Sequence, residues 1–405
     1  MSVILLLVGV CALALTVTGV APREPRPVPW VPSLVATELT VPLLAAHGIV
    51  AVVYVVLGWH AGWLGSVGLA LLGASAAGLG VIQARTAEAR PAMAEGVAQL
   101  LDGDVVLPPV PTLRLIDPRP RPPLGVRRQA PVRYGPDPDH LVEVIAGPGG
   151  AGPAPALLQV HGGGWTGGRL GRQGRPLLHR MAAAGWVVVE ASYRRSPGAT
   201  FPDHLVDVKR AIAWIRREAV ELGVDPSFVG ITGGSAGGHL AALAALTQNE
   251  AWLQPGFEEA DTSVQACVPL YGVHDLLDET GRGPKWPYLA TTVLKSHPTE
   301  DPDLWAAASP VDAPTSDRPP FFVVHGRDDT LVPAEDSRHL VEVLRGAGGP
   351  PVGYAEVPWA NHGFDTFESV RGILVAEAAA TVLQAVWAEH LAESEAGDGG
   401  VGTGG

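Results

Sequence analysis

The stretch Gly233-Gly234-Ser235-Ala236-Gly237-Gly238 decides how this chain is read. Phe228 to Thr232 precedes it as a short apolar run, which predicts a buried strand. His239 to Leu246 follows as an Ala/Leu run, which predicts a helix. A Ser on the turn between strand and helix, with Gly two residues to either side, is the G-x-S-x-G nucleophile-elbow pattern. The turn is so tight that side chains at Gly233 and Gly237 would collide with the adjoining strand and helix, and the Ser235 hydroxyl is left projecting. The helix that starts there aims its free N–H groups and positive dipole end at any negative charge forming near Ser235. Five residues of pattern recur by chance, so the surrounding chain has to support the reading.

Working outward, residues 156–390 alternate between the two kinds of element. Strands are predicted over Ala156 to His161, Trp186 to Ala191, Phe228 to Thr232, Val264 to Leu270, Pro320 to His325 and Val352 to Val357. Helices are predicted over Arg175 to Ala184, Phe201 to Glu221, Glu335 to Arg345 and Phe367 to His390. His140 to Ala146 reads as one more strand ahead of them. Such alternation predicts an α/β fold with a mainly parallel sheet covered by helices on both faces. In these sheets the chemistry gathers at the carboxyl ends of the strands.

Three segments sit at those ends. His161-Gly162-Gly163-Gly164-Trp165 is a glycine turn that lets the backbone approach a substrate and aim N–H groups at a developing oxyanion. A phosphate cradle is the rival reading, but the Lys-Ser/Thr of a P-loop is missing. In His325-Gly326-Arg327-Asp328-Asp329 an acid closes a strand, and Asp329 is the better candidate because the Thr330-Leu331-Val332-Pro333 turn follows it. Asn361-His362-Gly363-Phe364 lies between the last strand and the C-terminal helix, where an imidazole can reach over the sheet to Ser235. A Ser needs a base to take its proton, and the base needs a carboxylate to fix its tautomer. The chain order Ser235, Asp329, His362 is the one such hydrolases use.

The N-terminal ninety residues are of another kind. The chain is 47% hydrophobic, and the excess lies here. Apolar runs cover residues 3–21, Leu39 to Trp59 and Trp63 to Ile82, each near the ~20 residues that cross a bilayer as a helix. The third carries glycines among Ala and Ser, the texture that lets membrane helices pack closely. Arg23, Arg26, Arg85 and Arg90 flank the runs while the tip between the second and third has none, which places the body on the cytoplasmic side. The alternative is that residues 1–21 form a signal peptide ending near Val20-Ala21, which would put the body outside. His47 is read as a neutral imidazole bonded to a neighbouring helix.

The resulting domain reading is an anchor of about three transmembrane helices over 1–83, a Pro/Arg-rich connector over 84–130, a catalytic domain over 131–392 and a disordered tail over 393–405. Residues 84–107 read as a helix or two, and the Pro- and Arg-dense residues 108–138 predict an extended spacer without regular structure. Cys11 and Cys267 lie far apart in apolar runs and supply neither a disulfide framework nor a metal site. Four Arg against three Glu in residues 1–90 leave −14 of the net −13 on the rest of the chain. So acidic a body argues against a nucleic-acid partner.

Taken together, these residues resemble the α/β-hydrolase superfamily, and within it the hormone-sensitive-lipase-like and feruloyl/acetyl-esterase-like carboxylesterases. The resemblance covers residues 130–390 and rests on the HGGGW turn at 161–165, Tyr193 and Pro197, Asp207, the GGSAGG elbow, HGRDD and NHGF. It implies that Ser235 is the nucleophile, His362 the base and Asp329 its orienter, with the N–H groups of Gly163, Gly164 and Ala236 as the oxyanion hole. Arg195 departs from the Leu that relatives often carry, which changes a neighbouring contact only. His161, Asp207 and His239 are expected to be structural.

The anchor ahead of such a domain is similar to that of certain actinobacterial membrane esterases. The implied activity is a membrane-anchored serine carboxylesterase for a small-molecule or lipid ester, with no metal or organic cofactor and the bilayer as its other partner. An aminopeptidase or amidase on the same triad, and a non-catalytic hydrolase-derived receptor, are the alternatives. An insert from Tyr271 to Pro310, with Trp286, Tyr288 and Trp305, reads either as a pocket wall or as packing.

Overall fold

A computed structural model describes residues 1–20, 30–101, 103–149, 152–277 and 286–399. Ala21, Arg23, Arg26 and residues 400–405, used above for orientation, cleavage and tail, lie outside the described residues. The side chain of Trp286 does too.

Among the described residues, nine strands form one sheet: β1 (Arg127–Arg128), β2 (Val132–Arg133), β3 (Leu141–Ala146), β4 (Ala154–Val160), β5 (Val187–Ala191), β6 (Val224–Gly234), β7 (Ala266–Leu270), β8 (Phe321–Gly326) and β9 (Val352–Val357). Their order is β1-β3-β5-β4-β6-β7-β8-β9, with β2 also on β3. From β5 onward every pair is parallel; β3 runs antiparallel to β1, β2 and β5. The parallel strands are mostly apolar because helices bury both of their faces, with Gln159, Glu190, Thr232 and His325 as buried polar exceptions.

One face is covered by α8 (Asp203–Arg217), the short α9 (Ala219–Leu222) and α10 (Ala236–Leu246), with the insert's α11 (Trp286–Tyr288) and α12 (Pro302–Ala308) beyond, and α13 (Ala334–Gly346) beside β8 and β9. The other is covered by α5 (Ala89–Ala98), α7 (Arg175–Ala183) and α14 (Val370–Gly399). The strands and helices read from periodicity are present, with boundaries shifted by a few residues. The C-terminal helix runs on past residue 392 to Gly399.

The helix expected in residues 84–107 is α5, whereas the proline-dense stretch expected to lack regular structure carries three short elements. Helix α5 buries Ala89, Met93 and Val97 against the sheet, and Gly96 lets it lie so close that a methyl there would sit 2.6 Å from the Ala355 Cβ. Further on, α6 (Thr112–Ile116) occupies the proline-free gap between Pro111 and Pro118. The gap from Leu124 to Ala130 supplies β1, and Val132–Arg133 after Pro131 supplies β2. Proline blocks the positions it occupies, and the exposed edge of β3 captures the short segments between.

The N-terminal helices are α1 (Ser2–Val20), α2 (Trp30–Glu38), α3 (Thr40–Val56) and α4 (Trp63–Arg85). By length and composition Ser2–Val20, Trp63–Ala98 and Val370–Ala396 could each cross a membrane, and α2 with α3 could form a fourth span bent by 81°. Burial separates them: 61% of the apolar window in α14 is buried in the body, against 22% in α1. The apolarity of α14 therefore serves the core of the sheet. Inside the bundle, His47 bonds to the Ser75 hydroxyl at 2.8 Å, which bonds to Thr16 at 2.7 Å. The imidazole thus bridges neighbouring helices, as polar groups in apolar surroundings must.

Candidate active site

Strand β6 ends in Gly234, and Ser235 follows with φ 60° and ψ −125° before α10 begins. A non-glycine residue held there stores local strain of about 1–3 kcal/mol. The neighbours enforce it. A Cβ on Gly233 would overlap the Gly237 carbonyl, and one on Gly237 would overlap the Val160 carbonyl. Ser235 is thus lifted out of the strand at its carboxyl end.

The loops after β8 and β9 deliver the other two side chains to the same edge. His362 Nε2 lies 2.9 Å from Ser235 Oγ, and His362 Nδ1 lies 2.6 Å from Asp329 Oδ2. The side chain of Asp329 is fully buried. Burial pushes its pKa up, but the imidazoles of His362 and His325 outweigh this and hold it well below the usual carboxylate range. Its other oxygen accepts N–H bonds from Leu331 at 2.8 Å and Val332 at 2.9 Å. An ionised carboxylate only accepts, so the proton of the neutral His362 ring resides on Nδ1 and Nε2 is free to accept from Ser235. Asp328, the half-buried neighbour, donates its N–H to the Ala360 carbonyl at 3.0 Å.

The glycine turn after β4 lies directly beside the elbow. A Cβ on Gly162 would sit 3.0 Å from the Ser235 Cβ. Gly163 and Gly164 have φ of 125° and 59°, and their N–H groups donate to no backbone carbonyl among the described residues. Ala236 opens α10, where helical geometry leaves its N–H without an intrahelical acceptor. Ala236 adjoins Ser235 in the chain, and Gly163 and Gly164 follow directly on Gly162, so the glycine turn and the elbow helix share this edge of the sheet.

The residues expected to be structural have structural partners. Tyr193 stacks on His161 and donates to its carbonyl at 3.0 Å, and burial lowers the pKa of that imidazole. Asp207 bonds Arg194 at 2.8 Å, and His239 bonds the Ala308 carbonyl at 2.8 Å. Burial lowers His239 to about 4, so the ring is neutral at pH 7. Arg195 meets Asp139 at 3.2 Å on the surface.

The insert divides between its two readings. Trp305 is fully buried and donates to the Ser296 carbonyl, which is packing. Tyr288 reaches the glycine turn instead, donating to the Gly164 carbonyl at 2.5 Å.

Several contributors escape motif reading. Asn361 Oδ1 accepts from the N–H of His362 at 2.7 Å and of Thr330 at 3.1 Å, tying the two loops together. Tyr271 ends β7, lies edge-on to His362 at 4.7 Å and donates to the buried Asp365. Trp30 comes from α2 and meets the His362 ring edge-on at 5.7 Å. Asn361 stands inside a motif already singled out; nothing local marks Trp30.

Comparison with known proteins finds the chain similar to proteins named as esterases. Residues 143–344 match the family model described as BD-FAE. The chain is 48% identical over 248 residues to the probable carboxylic ester hydrolase LipM of Mycobacterium tuberculosis, covering 61% of this chain and 58% of that protein. It is 40% identical over 259 residues to esterase LipC of the same organism, covering 63% and 64%. The match therefore spans less than two thirds of these relatives' own length. Among solved structures, esterase 2 of Thermogutta terrifontis is 28% identical with a TM-score of 0.52, covering 67% of this chain and 95% of that one. The mostly parallel sheet and its helices match the α/β-hydrolase architecture of these esterases.

Proposed function

We propose that this protein is a membrane-anchored serine carboxylesterase in which Ser235, His362 and Asp329 form the triad. The observation that carries the reading is the unbroken chain from Ser235 Oγ through His362 to Asp329, at 2.9 and 2.6 Å. Ser235 attacks the ester carbonyl while His362 Nε2 takes its proton, and Asp329 stabilises the imidazolium. The N–H groups of Gly163, Gly164 and Ala236 receive the oxyanion. His362 then protonates the departing alcohol oxygen, leaving an acyl-enzyme that water hydrolyses by the same steps in reverse.

Anchoring rests on the outward faces of the N-terminal helices. Ile49, Val52 and Val56 on α3, and Leu7 and Val10 on α1, are exposed apolar side chains. In the proposed topology α1, α3 and α4 cross the bilayer and the body lies on the cytoplasmic side. The ester reading is tested with 4-nitrophenyl esters against aminoacyl 4-nitroanilides. Hydrolysis of the esters alone is expected; faster turnover of the anilides would make the protein an amidase.

A further inference from the structure

The bundle is fixed to the part of the body that carries His362. Glu38, at the end of α2, is fully buried and pairs with Arg371 at 3.3 Å, and Ser369 donates to its other oxygen at 2.6 Å. Arg371 also holds the Thr37 carbonyl at 3.1 Å and the Pro358 carbonyl at 2.9 Å. From the other side, Arg85 lies over the Trp359 ring at 3.8 Å, and Trp359 donates to Glu88 at 2.9 Å. Trp359, His362, Ser369 and Arg371 belong to one segment, the loop after β9 and the start of α14. Breaking a buried pair of this kind is strongly destabilising, so α2 stays where it is.

That fixed position brings α2 up to the catalytic imidazole. Trp30 meets the His362 ring edge-on. A methyl built on Gly363 would lie 3.7 Å from Leu34 Cδ2 and 3.8 Å from Trp30 Cζ3, so both side chains reach the loop. On the opposite side Tyr288 stands over Gly164. His362 has to hand its proton to the leaving oxygen, so the alcohol half of the ester departs past this imidazole. The side chains next to it face that half.

We infer that α2 completes the alcohol side of the catalytic site, with Trp30 as a specificity-determining residue for esters whose alcohol carries a long apolar chain. The inference rests on the esterase reading above. An alkyl chain leaving past His362 meets Trp30 and Leu34 on a helix that belongs to the membrane bundle. Alcohols resident in the bilayer are therefore the chemical class the site takes.

The experiment uses the full chain in phosphatidylcholine nanodiscs, with methyl acetate and octyl acetate as substrates. Both give the same acetyl-enzyme, so the ratio of their kcat/KM values isolates acylation. Trp30→Ala is expected to lower the octyl-over-methyl ratio about ten-fold, the scale at which an apolar pocket discriminates, and Trp30→Phe to restore most of it. An unchanged or increased ratio overturns the inference. Fluorophosphonate labelling of Ser235 in each variant reports a folded site. If the parent protein takes no label and cleaves neither ester, the esterase reading falls and the inference with it. If it labels but the ratio stays put, the inference alone falls. Should Trp30→Ala fail to accumulate, Leu34→Ala carries the same test with an expected drop of about three-fold.

Discussion

The bundle and the body differ in what they leave exposed, and large apolar side chains on the surface are concentrated in the bundle. Between α1 and α4 the buried positions mix small or polar residues, Gly9, Thr16, Gly65, Gly68 and Ser75, with Leu5, Leu72, Leu79 and Ile82, while Ile4, Leu7, Val10, Val67 and Val81 on the same helices are exposed. In the body Leu157, Leu158, Val188 and Ile231 are fully buried, and exposed apolar side chains such as Val220 and Trp252 are scattered singly. Water drives apolar groups inward in the body, whereas in the bilayer setting proposed for the bundle the close approach of backbones and a few hydrogen bonds would hold the helices together. The same contrast separates α1 from α14, two apolar helices of which only the second lies mainly inside protein.

Four experiments sharpen or break this contrast. The largest effect belongs to the body's chemistry: Ser235→Ala should cut kcat about a million-fold while leaving the circular dichroism spectrum and the membrane fraction unchanged. Next, Asp329→Asn removes the acceptor-only partner of His362 Nδ1 and should cost about 10⁴-fold in kcat, read on the same ester. Third, Leu158→Ala should destabilise the body by about 2–5 kcal/mol in denaturant unfolding, whereas Ile49→Ala on the outer face of α3 should stay within about 0.5 kcal/mol. Equal losses would mean that α3 is packed against protein.

The smallest effect is a pH dependence. Burial, partly opposed by Arg175, raises Glu190 from 4.5 to about 7. The folded chain thus holds this proton more tightly than the unfolded one. Stability should fall as pH rises from about 4.5 to about 7 and level off above. Thermal melts across that window should show the slope, and Glu190→Gln should flatten it.

The sheet and the proximity of Ser235, Asp329 and His362 were legible because each sits in a local pattern: a strand, then a turn with its own residue signature. Order along the chain and the rule of carboxyl ends did the rest. Trp30, Tyr271 and Asp365 carry no such local mark, since each acquires its place from a partner far away in sequence. The connector misled for a different reason. Its prolines describe only the positions they occupy, and two of the short segments between them found an open strand edge. Arg371 reads as an ordinary surface charge until its partner Glu38 is brought to it by folding of the N-terminal helices.

The measurement that bears most directly on this account is fluorophosphonate labelling of the purified full chain, followed by mass spectrometry of its peptides. The account predicts one phosphonylated residue, Ser235, with labelling abolished in His362→Ala as well as in Ser235→Ala. A folded protein that takes no label, or takes it on another serine, would contradict it.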